Sequence, residues 1–142
     1  MSTHATARTL ETAPKRPSKA LERTILALRI IAFLFFIAAS LSKLTGAEYN
    51  VVVFEKVGFG QWFRYFTGVL ELTGAVLLFV PGRAAWGGAL LSCIMIGAFF
   101  ADRFLIGGNG VPAIIAFIVV ATVTWFRRSQ LPFFSSASGA AG

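Results

Sequence analysis

The residues of this chain that could do chemistry stand where charge is expensive, inside long apolar runs. Glu71 is the most informative. In a helix over 63–80 it lies about 13 Å from either end, at 1.5 Å rise per residue. An acid at the centre of a bilayer costs about 3 kcal/mol on insertion scales, and more when isolated. It must therefore be neutral, paired, or turned toward a hydrated cavity. Lys43, at the end of the preceding run, is the partner that depth and direction select. Helical side chains lean toward the N-terminus. In two antiparallel spans Lys43 leans back into the membrane while Glu71 leans outward, so the two approach each other. Ser40 and Thr67 are their hydrogen-bonding neighbours. Arg64 shares a face with Glu71 at i, i+7, and Asp102 stands near the outer end of the third run. The chemistry these residues suit is a buried polar pocket, open to the outer side and lined by Lys43, Arg64, Glu71 and Asp102. The plainer alternative is a structural ion pair that sets helix register. Arg29, about one turn inside the first run, leans the other way and reads as a structural charge that snorkels to the interface.

Composition says what kind of elements must position these groups. Of 142 residues, 56% are hydrophobic and 13% charged, with 15 Phe, and the mean hydropathy is +0.75. A soluble domain carries about 25% charged residues, so the apolar side chains must face lipid or one another. One Cys (Cys93) excludes a disulfide scaffold. One Cys and one His (His4) cannot supply the four N/S ligands of a structural zinc site, so no metal is expected. There is no G-x-G-x-x-G fingerprint, Cys cluster or paired His, so no flavin, haem or iron–sulfur cofactor is expected either. The net charge of +7 flanks the apolar runs rather than interleaving with aromatics, which marks membrane topology and not nucleic-acid binding.

Four runs approach the roughly 20 residues needed to span a bilayer: 24–43, 63–80, 84–105 and 111–126. Pro81-Gly82 makes a tight turn between the second and third, and Gly107–Gly110 separates the third from the fourth. Without water to satisfy the backbone, each must be a helix. The expected fold is an all-α, four-helix transmembrane bundle spanning 23–128, between disordered cytoplasmic tails at 1–22 and 129–142. The first run is too long for a signal-peptide core, the rival reading. Lys and Arg number eight on the side of the termini (8, 15, 16, 19, 23, 83, 127, 128) against four on the other (43, 56, 64, 103), which puts both termini in the cytoplasm. Trp62, Trp86 and Trp125 fall near span ends, at headgroup level. The outer loop 44–62 mixes Val51–Phe54, Val57 and Phe59 with Glu48, Glu55 and Lys56. It reads either as a short amphipathic element on the outer face or as a loop packed over the bundle. Small residues mark contact faces in lipid. Span three has two files, Ala84-Gly88-Ser92 and Ala85-Ala89-Cys93-Gly97, and span two has Thr67, Gly68, Glu71 and Gly74. The two spans should form a close antiparallel pair.

Several of these pieces occur together in a known order. The first span ends Ala-Ala-Ser-Leu-Ser-Lys-Leu-Thr-Gly (Ala38–Gly46), and the second carries Phe-Thr-Gly-Val-Leu-Glu-Leu-Thr-Gly-Ala (Phe66–Ala75) and closes on Phe-Val-Pro (Phe79–Pro81). The third holds Met-Ile-Gly-Ala (Met95–Ala98), and a basic residue, Arg29, stands early in the first. Over about residues 24–127 the chain resembles the DoxX-like family of small four-helix membrane proteins. The resemblance implies a compact bundle with Lys43 and Glu71 at family positions. Some relatives are subunits of quinone-linked sulfur-oxidising enzymes, and others are linked to membrane redox complexes or membrane-protein assembly. Where relatives often carry His shortly after the Gly-Ala step, this chain has Asp102, so histidine-based proton or metal chemistry does not carry over.

The expected function is thus an accessory subunit of a quinone-linked redox system in a bacterial plasma (inner) membrane, not catalytic alone. Its partners would be the lipid bilayer and either a redox enzyme or a second copy of the chain, and quinone is the one cofactor to consider. The alternatives are a small proton-coupled transporter using Glu71 and a membrane-protein assembly factor.

Overall fold

The structure, a computed structural model, describes residues 17–130. Within them the chain is all-helical, with five α-helices and no strand. Helix α1 (Lys19–Leu44) begins where the Ser18 side chain accepts a hydrogen bond from the Leu21 amide, with Glu22 in the first turn, where a negative charge meets the helix dipole. It continues through a run without Pro or Gly and stops before Gly46, whose φ of 74° few other residues adopt. Helix α2 (Glu48–Val57) ends at Gly58, left-handed at φ 84°. Helix α3 (Gln61–Leu77) follows at once, and a turn through Pro81-Gly82 leads into α4 (Ala84–Phe100). Helix α4 widens at its end into a π-helical turn (Ala101–Ile106). Pro112 sits in the first turn of α5 (Val111–Phe126), where a missing N–H costs little.

Three boundaries differ from the sequence reading. Residues 19–22, expected in the disordered tail, are helical because Ser18 supplies the cap. Helix α3 ends three residues short of Val80: the chain tightens into i→i+3 bonds from Phe79 and Val80, and the Leu78 carbonyl is taken by a side chain described below. Residues 128–130, partly assigned to the C-terminal tail, form a 3-10 turn. The rest of both expected tails (1–16 and 131–142), with Arg8, Lys15, Arg16 and His4, lies outside the described residues.

Helix α1 packs on α3 and α5, and α4 packs on the same two, so the four long helices close a ring. Helix α2 lies across one end, against α3 and the π turn. Phe36, Leu78, Leu91, Val120 and Val123 fill the interior. The outside is equally apolar: Ile31, Leu34, Phe104, Ile115 and Ile118 are each more than half exposed. A soluble protein of this size would not leave so much apolar surface to water. Among the described residues two helical stretches, Lys19–Leu44 and Ala84–Ile106, are long and apolar enough to cross a membrane.

The close approach of α3 to α4 runs through Gly74, one of the span-two residues read from the sequence, but on α4 through Gly87, which lies in neither span-three file. A Cβ on Gly87 would stand 2.6 Å from the Gly74 carbonyl and 2.9 Å from the Leu78 amide nitrogen. Gly88 instead faces Thr124 of α5, while Cys93 and Gly97 are exposed. Helix α4 is small on several stripes at once, so i, i+4 spacing alone could not say which stripe meets which neighbour.

Candidate functional site

The register of α1 against α3 is held by two arginines acting reciprocally. In the N-terminal half of α1, Arg29 Nε donates to the Leu78 carbonyl at 2.9 Å, and its Nη2 donates to the same oxygen. Leu78 closes α3, so this bond satisfies a carbonyl the helix end leaves without a partner. Near the start of α3, Arg64 Nη1 donates to the backbone carbonyl of Lys43, at the end of α1. Each cation thus sits at the negative end of the other helix's dipole. Arg64 is held further by Gln61 Oε1, 2.8 Å from its Nε, and lies over the Tyr65 ring at 4.3 Å. Arg29 lies over Phe79 at 4.9 Å. Arg29 leans away from Glu71, as the sequence suggests for a structural charge, but it ends on the Leu78 carbonyl of α3 rather than in the headgroup layer, because an orphaned carbonyl in an apolar setting is a near acceptor. Arg29→Met and Arg64→Met should each cost about 1.5–3 kcal/mol, the worth of a hydrogen bond to a charged group. Denaturant titration of the full chain in mixed micelles, followed by circular dichroism, measures this. Unchanged midpoints would mean the clamps contribute nothing.

Between the clamps, Lys43 Nζ stands 2.9 Å from Glu71 Oε2. The Glu71 side chain is 3% exposed and that of Lys43 15%. The second Glu71 oxygen accepts no hydrogen bond among the described residues. Both side chains form part of the wall of a cleft of about 510 Å³, within the 300–1,000 Å³ of small-molecule sites. Aromatic rings, among them Phe36, Phe54, Phe63 and Phe66, make up much of the rest.

The other residues singled out in the sequence divide. Thr67 lines the cleft, with its hydroxyl donated to the Phe63 carbonyl at 2.9 Å. Asp102 lines it from the π turn, and its Oδ2 accepts the Gly110 amide at 2.7 Å, pinning the Gly107–Gly110 loop. The extra residue in a π turn swings side chains out of α-helical register, a common device at functional sites. Arg64 does not line the cleft: it is 4% exposed and spent on Lys43 O and Gln61. Ser40 does not line it either. It is fully buried and its hydroxyl has no partner among the described residues.

Helix α2 supplies what the sequence reading left out. Tyr49, Asn50, Val53, Phe54 and Val57 close the cleft on one side. Asn50 Nδ2 donates to Ser42 Oγ at 2.9 Å, which fastens α2 to α1. The signal was present: these positions recur at i, i+1, i+4, i+5 and i+8, one face of a helix. Among the described residues, no group of three or more His, Cys, Asp or Glu could hold a metal ion.

Compared with known proteins, the chain matches the model of the DoxX-like family over residues 27–127. No curated protein matches, and no solved structure does. The family match takes in α1 from residue 27, all of α3, α4 and α5, both clamps and the Lys43–Glu71 pair, and the two long apolar helices fit a membrane protein. The chain belongs to the DoxX-like family.

Proposed function

We propose that this protein is a multi-pass subunit of a quinone-linked redox system in a bacterial plasma membrane, non-catalytic alone, with Lys43 and Glu71 as its polar site. Helices α1, α3, α4 and α5 form a four-helix transmembrane bundle with both termini cytoplasmic. The distribution of Lys and Arg, eight against four, supports that orientation.

The observation that carries the reading is a largely buried ion pair placed at the wall of an aromatic cleft. A pair serving register alone needs no cavity beside it. This one keeps ammonium hydrogens and a carboxylate oxygen for a guest. A quinone ring fits such a cleft: Phe54 and Phe63 offer faces to stack on, and Lys43 offers a donor to a carbonyl. Helix α2 shields that contact from bulk water.

Purification of the full chain in mild detergent tests the reading. A partner with the absorbance of a bound redox cofactor should copurify, and its quinone reduction should fall with Glu71→Gln in this subunit. A lone monomer or homodimer would overturn it. Proton release that depends on Glu71 without a partner would favour the transporter reading.

A further inference from the structure

The cleft does not end at the ion pair. Phe35, Phe36 and Pro112 are shared with a second cavity, of about 320 Å³, between α1 and α5. Its remaining wall includes Ile31, Ala32, Ile115, Ala116 and Val119, and no polar side chain lines it. Ile31 and Ile115 are each 58% exposed. The cavity therefore opens sideways through the helix ring, onto the surface that the membrane placement proposed above gives to lipid. The cleft that holds the ion pair and an apolar groove thus lie next to each other, with Phe35, Phe36 and Pro112 lining both.

We infer that these two adjoining cavities together bind a single-chain amphiphile. Its uncharged hydroxyl- or carbonyl-bearing head sits against Lys43 and Glu71, and its chain lies in the groove between α1 and α5. The head class follows from the chamber. The ion pair is electroneutral, and it presents donors from Lys43 beside a free acceptor oxygen of Glu71. An anionic head would face the Glu71 carboxylate, and a cationic one would compete with Lys43. An uncharged head that both donates and accepts satisfies the pair without breaking it. The chain class follows from the groove, which lacks any side chain to receive a second polar group. Hydroquinones with an isoprenoid tail and monoacylglycerols share this chemistry. The inference rests on the membrane placement and polar site proposed above, but it requires no partner protein.

The test uses the full chain, purified alone in detergent, and a monoacylglycerol carrying a diazirine at the end of its chain. After photolysis, adducts are mapped by mass spectrometry. Labelling should be saturable and concentrated at Ile31, Ile115 and Val119. Competition by unlabelled monooleoylglycerol or by a long-tailed quinol should remove it, and the stronger competitor identifies the source. Oleate and sphingosine should compete at least tenfold less well. Glu71→Gln should weaken competition about tenfold, the effect of losing one charge-assisted hydrogen bond. Ile115→Trp changes an exposed position, so it leaves the core intact. It should displace the adducts from the groove even if Glu71→Gln fails to fold. Labelling spread evenly over the outer helix faces and indifferent to competitors, or a preference for a charged head, would overturn the inference. Failure here leaves the copurification experiment unaffected, and the reverse also holds.

Discussion

Lys43→Met should cost this protein about 3–5 kcal/mol, because it strands a carboxylate that is 3% exposed. Glu71 Oε2 has Lys43 Nζ as its ionic partner, and no other ion pair occurs among the described residues. With the amine gone, the carboxylate must take up a proton, draw in water from the cleft, or pull α3 away from α1. Each response costs free energy. The double variant Lys43→Met/Glu71→Leu should recover to within about 1 kcal/mol of the native chain, since apolar residues of similar volume often replace a buried pair at no loss. Denaturant unfolding of the four members of this cycle in mixed micelles yields the coupling directly. A single variant as stable as the native protein would mean that Glu71 is already hydrated, and the cleft would then be a water-filled site. The double variant has a second use. Restored stability with lost binding or lost partner activity separates the role of the pair in function from its role in folding.

The second large effect is expected at the α3–α4 crossing. Gly87→Ala should destabilise the chain by about 1–3 kcal/mol, the usual range for overpacking. The added methyl would meet the Gly74 carbonyl at 2.6 Å, Leu77 Cβ at 2.8 Å and the Leu78 nitrogen at 2.9 Å. Two of these three atoms are backbone, so no rotamer change relieves the contact and the helices must part. Leu78 also carries the carbonyl that Arg29 holds, so separation there loosens the clamp at the C-terminal end of α3. Gly97→Ala on the same helix is the control. Nothing lies within 4 Å of its Cβ position, and exchanging Gly for Ala in a helix gains up to about 1 kcal/mol. Opposite shifts in unfolding midpoint for the two variants would confirm the crossing, and equal shifts would contradict it.

The meeting of Lys43 and Glu71 was legible in the sequence because it needs only one-dimensional information: depth along each helix and the lean of side chains toward the N-terminus. Arg64 was harder. Sharing a face with Glu71 at i, i+7 suggested a common pocket, yet the guanidinium turns to the Lys43 carbonyl and Gln61. A helix end offers an unsatisfied acceptor that residue patterns do not display. The acceptor of Arg29 was hidden for the same reason. Its acceptor belongs to a carbonyl 49 residues away, exposed only because α3 stops at Leu77.

What the sequence determined by itself is the four long helices, their apolar character and the placing of an acid and an amine within reach of each other. Those follow from local hydrophobicity, Gly and Pro punctuation and the fixed geometry of the helix. What only the tertiary structure decided is which face meets which: Gly87 rather than Gly88 against α3, α2 folded over the cleft, and an apolar groove between α1 and α5. Helix α4 shows why. Its small residues occupy several stripes and its apolar residues the remainder, so no single face is marked by polarity. In such a helix the contact partner is chosen by shape, through how closely backbones can approach, and shape exists only once the neighbouring helices are in place.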